Sequence, residues 1–234
     1  MIDLRPFSSL GRFDNDWLAA RYHFSFSDYR DPARVNWGAL RVWNDDAIQP
    51  HTGFAPHSHA DMEIITYVRE GAITHEDSMG NRGRTEAGDV QVMSAGAGVT
   101  HAEYNREDDI ARLFQIWIVP KTRGGQPYWN AAKFPKDARA GKFVTLASGY
   151  DEDQSAGALP IRADARVLGA TLPAGGTASY DLAPGRNAYV VVAKGAAAVN
   201  GAALNARDGA ALRDESQLTV TAREDAEVVL VDAP

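Results

Sequence analysis

The chain has 234 residues, with 24 Lys and Arg against 31 Asp and Glu, a formal charge of −7 and an isoelectric point near 5.3. This acidic balance, with no basic run longer than Asn81-Arg82-Gly83-Arg84, disfavours direct nucleic-acid binding, whose affinity comes from cations that neutralise phosphates. The absence of cysteine excludes disulfides, thiolate metal sites, iron–sulfur clusters and thiol nucleophiles.

The opening Met1-Ile2-Asp3-Leu4-Arg5-Pro6 carries no apolar leader, and no apolar run nears the ~20 residues of a spanning helix. A soluble, cytoplasmic protein without a membrane partner is expected. Further along, apolar runs are short and rich in β-branched and aromatic residues. Examples are Ile64-Ile65-Thr66-Tyr67-Val68, Val90-Gln91-Val92-Met93, Leu113-Phe114-Gln115-Ile116-Trp117-Ile118-Val119 and Tyr189-Val190-Val191-Val192-Ala193. Bounded by Gly, Asn and Asp, they read as closely spaced strands of an all-β barrel or sandwich protein. The best helix candidate, Trp129 to Asp137, is short and interrupted by Pro135, and Ser148 to Gly157 reads as a linker or long loop. The alanine-rich tract Ala196 to Ala211 is cut by Asn200-Gly201 and Asp208-Gly209, so it reads as hairpin strands rather than helix.

A faint internal repeat lays Tyr67-Val68-Arg69-Glu70-Gly71-Ala72 over Val191-Val192-Ala193-Lys194-Gly195-Ala196, and Glu86-Ala87-Gly88-Asp89 over Arg207-Asp208-Gly209-Ala210. Two β domains are expected from it, 1–125 and 126–234, with the boundary somewhere between Pro120 and Gln154. All six histidines, His23, His51, His57, His59, His75 and His101, precede residue 102. A metal site built on imidazole therefore belongs to the first domain.

His57-Ser58-His59 is the sharpest local feature, because residues i and i+2 of an extended segment share a face. His101-Ala102-Glu103 repeats the spacing with a carboxylate. If the two strands are neighbours, His57, His59, His101 and Glu103 converge on one divalent transition ion: iron, copper, nickel, cobalt, manganese or zinc. Calcium is disfavoured because it takes oxygen ligands. Four protein ligands on an ion that accepts six leave room for water, dioxygen or a chelating substrate. On spacing alone, an equal reading makes His57 and His59 loop residues after Pro56 and His101 an interior histidine. Gly96 and Gly98, just before His101, allow a tight backbone turn toward the site and favour the metal reading. His23, amid Tyr22, Phe24 and Phe26, reads as a packing residue, His75 as an organiser of the Asp77 turn, and His51 as exposed. Phe114 and Trp117 read as core.

Gly53-x3-His57-x-His59-x3-Glu63-x7-Gly71 approximates the first cupin motif, and Gly88-x5-Ser94-x-Gly96, ending in His101 and Asn105, the second. More specifically, the chain resembles the short bacterial branch of the pirin family. The resemblance rests on His23-Phe24-Ser25-Phe26-Ser27-Asp28-Tyr29, Glu63-Ile64-Ile65-Thr66-Tyr67-Val68, His75-Glu76-Asp77-Ser78-Met79-Gly80-Asn81 and Ser94-Ala95-Gly96-Ala97-Gly98. It implies a bicupin, two jelly-roll-like β-barrels packed together, with a single metal (iron foremost) held in the N-terminal barrel by His57, His59, His101 and Glu103. Glu63 stands one residue off the register of the usual cupin glutamate and is expected to be structural. The positions overlaid in the second repeat, Asp181 with Ala183 and Ala222 with Glu224, offer no imidazole, which implies a degenerate barrel without metal.

The implied activity is that of a quercetin 2,3-dioxygenase, opening a flavonol ring with dioxygen and releasing carbon monoxide, with Glu103 as base for the flavonol proton. Two alternatives stand beside it: a non-enzymatic, metal-dependent regulatory protein with a protein partner, and a cupin isomerase that uses no oxygen.

Overall fold

Alternation decides which side of each strand meets which neighbour. In the strand Glu63–Glu70, Ile65 and Tyr67 point one way, and Ile64, Thr66 and Val68 the other, yet all five are buried. A strand buried on both faces belongs in the middle of a layered structure. The computed structural model describes residues 1–234 and arranges 22 strands into four sheets.

In the first half, a seven-stranded sheet runs in the order Tyr128–Ala132, Val90–Ser94, Glu63–Glu70, Ala111–Ile118, Leu40–Ile48, Leu18–Tyr22, Gly11–Asp14. It faces a four-stranded sheet ordered Gly53–His59, Val99–Tyr104, Ala72–Asp77, Arg82–Glu86. The second half repeats the plan, its seven-stranded sheet centred on Asn187–Lys194 and Ala226–Ala233. The all-β, double jelly-roll expectation holds. Each unit is a pair of open sheets with edge strands rather than a closed barrel.

The two large sheets pack against each other. The largest core cluster, 24 residues, joins Trp43, Tyr67 and Phe114 of the first half to Tyr189, Val191 and Val229 of the second. The seam also carries polar staples. Arg162 donates its backbone N–H to Glu63 Oε2 at 3.0 Å, Ser94 Oγ donates to Glu63 Oε1 at 2.8 Å, and Tyr67 donates to Glu227 at 3.0 Å. Glu63 is thus a structural seam residue, and His23 is a packing residue whose Nδ1 meets the Tyr189 hydroxyl at 2.8 Å.

Strand pairing crosses the expected cut at 125 and 126 in both directions. The N-terminal strand Ile2–Arg5 pairs with Gly209–Arg213 of the second unit, and Tyr128–Ala132 pairs with Val90–Ser94 of the first. The helix candidate at Trp129 to Asp137 is therefore no α-helix: it begins as strand to Ala132 and ends in the short 3-10 turn Lys136–Arg139. The segment from Ser148 to Gly157 contains the short helix Asp151–Ser155, tied by Ser148 Oγ donating to Asp153 at 2.6 Å. The alanine-rich tract forms the strands Ala197–Val199, Ala202–Leu204 and Gly209–Arg213. Asn200 and Gly201 turn between the first two with φ of 46° and 85°, the positive angles a two-residue hairpin demands.

The interiors of the two sandwiches differ in chemistry. The second is filled by one continuous cluster of 19 residues, all Leu, Val or Ala. The first is split into clusters of seven and four residues. Between them lies a polar row running across the large sheet in direct register, Gln91 beside Thr66, Thr66 beside Gln115, and Gln115 beside Asn44.

Candidate metal centre

The small sheet of the first sandwich carries the histidines. His101 stands directly opposite His57 on one side and Asp77 on the other, and Glu103 stands opposite His75. The register slips between His101 and Glu103, where three steps of the Gly53–His59 strand, from His57 to Phe54, match two of its partner. Such a bulge re-aims side chains near sites, and Pro56, which has no N–H to give a ladder, lies within it. Gly53 ends the same strand because an added Cβ would come within 2.2 Å of the Glu103 carbonyl oxygen. Gly96 holds φ of 49° in the turn before His101.

The result is a triad. Ring centroids of His57 and His101 are 4.5 Å apart, those of His57 and His59 4.8 Å, and those of His59 and His101 5.1 Å. His101 is buried, while His57 and His59 are more open. The hydrogen bonds assign the ring nitrogens. His57 Nδ1 lies 2.8 Å from the Ala55 carbonyl oxygen, which can only accept, so the proton is on Nδ1 and the lone pair on Nε2. His75 Nε2 donates to Asp77 at 3.0 Å, which makes His75 Nδ1 an acceptor for His101 Nδ1–H at 3.4 Å. His101 is then left with its lone pair on Nε2. Nε2 of both His59 and His101 is buried without a hydrogen-bond partner. Burial first, then the neighbouring imidazoles, pushes His101 down to about 3 and His59 down to about 4, so both rings are neutral and able to ligate.

Glu103 is 2% exposed and held by the polar row: Oε1 accepts from Gln91 Nε2 at 2.6 Å and from Thr66 at 3.4 Å, and Oε2 from Gln115 Nε2 at 2.8 Å. Burial pushes its carboxyl up to about 7 against the pull of these donors. The potential ligand atoms fall into two overlapping groups, each within 4.8 Å: His57, His59 and His101, and His75, His101 and Glu103. Three of the four predicted ligands therefore stand together, and Glu103 joins them through the shared His101. Both groups lie in the first sandwich. In the second, Asp181 accepts from Gln217 on an exposed strand, and no cluster able to hold an ion forms there.

His75 does more than organise a turn. Asp77 does that, accepting from the N–H groups of Met79 and Asn81, while His75 is buried, stacked on Trp129 at 4.9 Å, and faces His101. Phe114 is core, but Trp117 is not. It stands edge-on to His59 at 4.9 Å and to Phe26 at 5.3 Å. His51 is exposed and bonded to Asp108.

Beside the triad lies a cavity of about 280 Å³, walled by Tyr22, Phe26, Phe54 and Trp117, with His57 and His59 at its surface and Asn44, Asp46 and Gln115 as polar lining. Three imidazoles, two of them with buried and unpartnered Nε2 atoms, a buried carboxylate nearby and an aromatic hollow fit a divalent transition ion that keeps open positions toward a small ligand. The residues that hold Glu103 and line the hollow, Thr66, Gln91, Gln115, Asn44 and Asp46, were not anticipated as functional. Their signal was available, since a glutamine inside a run such as Leu113-Phe114-Gln115-Ile116 is out of place in a strand buried on both faces.

Comparison with known proteins identifies the family. Residues 4–118 match the family model described as Pirin, and residues 145–233 the one described as Quercetinase C-terminal cupin domain. A pirin-like protein of Caulobacter vibrioides is 64% identical over the full length of both chains. A quercetin 2,3-dioxygenase of Escherichia coli is 38% identical over 100% of this chain and 99% of its own. The crystal structure of the bacterial pirin YhhW of Escherichia coli in complex with nickel(II) superposes with a TM-score of 0.93 at 36% identity, covering 100% of this chain and 99% of that one. With its two stacked jelly rolls and a histidine triad in the first alone, the chain belongs to the pirin family.

Proposed function

We propose that the protein is a metal-dependent dioxygenase of the quercetin 2,3-dioxygenase type, acting on a flavonol or a similar hydroxylated aromatic compound. The observation that carries this reading is the convergence of three imidazoles beside an aromatic hollow. His57, His59 and His101 hold one divalent ion, with Glu103 as the carboxylate ligand. Iron leads the candidates for its redox chemistry, and the nickel complex of the Escherichia coli pirin supports binding of a divalent ion. When bound, the ion supplies Lewis acidity toward a hydroxyl oxygen and, where redox-active, a route to dioxygen.

The protein's own part is positional. Tyr22, Phe26, Phe54 and Trp117 clasp a flat ring and keep water from it. Glu103, raised toward neutrality by burial and steered by Gln91 and Gln115, accepts the flavonol proton. The names of the relatives support the substrate class. The test is metal-replete protein mixed with quercetin in air and under argon. Oxygen uptake and carbon monoxide release in step with bleaching of the flavonol band are expected. Turnover without oxygen uptake, or no turnover with any of the six candidate metals, overturns the reading.

A further inference from the structure

Fourteen buried side-chain nitrogen and oxygen atoms in the protein have no hydrogen-bond partner. Four of them, His59 Nε2, Asn44 Oδ1, Asp46 Oδ1 and Trp117 Nε1, belong to the eleven residues that line the single hollow beside the triad. An orphaned buried polar atom is destabilising, so four around one hollow call for an explanation. His59 is explained by the metal; the other three are not.

Asn44 and Asp46 are 3% and 1% exposed and lie two residues apart on the strand Leu40–Ile48, so their side chains leave the same face of the sheet. Gln115 pairs directly with Asn44 but spends its amide on Glu103, leaving Asn44 without a cross-strand partner. On the opposite face, Asp45 is satisfied by Arg69 and Arg207, which shows that this strand pairs its polar groups where no ligand is in reach. Trp117, whose indole N–H is likewise buried without a partner, also lines this hollow.

We propose that Asn44, Asp46 and Trp117 form a hydroxyl-reading subsite at the polar lining of the cavity, which selects aromatic ligands bearing free ring hydroxyls in addition to the oxygens that chelate the metal. A ring hydroxyl both donates and accepts. It can therefore answer the Asn44 and Asp46 oxygens as a donor and the Trp117 N–H as an acceptor, while the ring fills the space between Phe26 and Phe54. A bare aromatic chelator satisfies none of the three and leaves them buried and unpaired, which is how a polar site rejects an analogue that lacks the group. This inference rests on the flavonol reading above and deepens it. Asn44, Asp46 and Trp117 are assigned specificity, while metal binding stays with the histidines.

The experiment measures equilibrium binding under argon, by quenching of tryptophan fluorescence and by calorimetry, to metal-loaded protein. The probes are quercetin and 3-hydroxyflavone, which share the chelating oxygens and differ in the remaining ring hydroxyls. The native protein is expected to prefer quercetin by at least tenfold. Asn44→Leu and Asp46→Leu are each expected to narrow the ratio by about tenfold per acceptor lost, mainly by weakening quercetin, with metal content unchanged. Removal of an orphaned polar atom should also leave thermal stability equal or higher, which separates loss of recognition from loss of fold. Asp46→Asn, which keeps an acceptor, should retain most of the preference. An equal affinity of native protein for the two probes, a ratio untouched in both leucine variants, or no binding of either probe overturns the subsite. A hydroxyl preference that the variants abolish, in a protein that never consumes oxygen, upholds the subsite and refutes the dioxygenase reading alone.

Discussion

His57 and His101 face each other across two antiparallel strands as directly paired residues, their rings 4.5 Å apart, and His101 alone belongs to both groups of potential ligands. His101→Ala should therefore empty the centre, whereas Glu103→Gln should weaken it while the three imidazoles keep some hold. We expect chelator competition to show a smaller loss of affinity for Glu103→Gln than for His101→Ala. Oxygen consumption should cease in both. Equal retention of metal in the two variants would contradict the shared role of His101.

Gln115 reaches Glu103 Oε2 from the large sheet, and Gln91 reaches Oε1. Removal of such an orienting partner typically costs about 10–100-fold in metal affinity. Gln115→Leu should show a loss of that size by calorimetric titration with nickel(II), with far-ultraviolet circular dichroism unchanged. Native affinity in this variant would mean that the glutamine clamp is not what aims the carboxylate.

The chain Asp77–His75–His101 fixes the tautomer of His101 through contacts of 3.0 and 3.4 Å. His75→Phe keeps the stack on Trp129 but supplies no acceptor for His101 Nδ1–H. Metal should still bind, with affinity reduced roughly tenfold or more. Complete loss of the ion would place His75 among the ligands themselves.

His23 at the seam and the imidazoles of the centre share an acid weakness. Burial holds His23 well below its ordinary value of 6.5, and His59 and His101 are also depressed. Below about 6.5 the unfolded chain takes up protons that the folded chain refuses, so stability falls as pH falls through that value. Each such group contributes a slope of about 1.4 kcal/mol per pH unit. His23→Gln should flatten the decline between pH 6.5 and 5 by one proton's worth in denaturant titrations of metal-loaded protein. An unchanged slope would show that His23 protonates in the folded state.

A bound ion should stabilise the folded chain. At a free concentration 100 times its dissociation constant the gain is about 2.7 kcal/mol, a rise of about 5–10 °C in the unfolding midpoint for a chain of this size. Elemental analysis should find one ion per chain, because the second sandwich has no histidine and its interior is apolar. Two ions per chain would locate a site outside the triad.

Much of this is legible in the sequence. His-x-His and His-x-Glu spacing announced shared faces, and short β-branched runs bounded by turn residues set the β architecture. The glycine positions at Asn200-Gly201 marked their hairpin. What stayed hidden was what the opposite sheet contributes. No local pattern says that Gln91, Thr66 and Gln115, scattered over fifty residues, align in register and meet Glu103. Trp117 looked like core because hydrophobicity reports burial and not whether the neighbour is protein or a hollow. Strand exchange between the halves was illegible too, since Ile2–Arg5 matches any edge as well as the one it joins.

That exchange reaches back to how the protein is made. Ile2 pairs with Leu212, so this strand waits for one made far later in translation before their ladder can close. The histidine-bearing half likewise needs Tyr128–Ala132 to shield the open edge of Val90–Ser94. A nascent chain stopped near residue 125 has all its ligands and lacks that cover. The strand that follows the histidines thus serves as a late-arriving clasp, and the edge beside the imidazoles is covered only once synthesis has passed it.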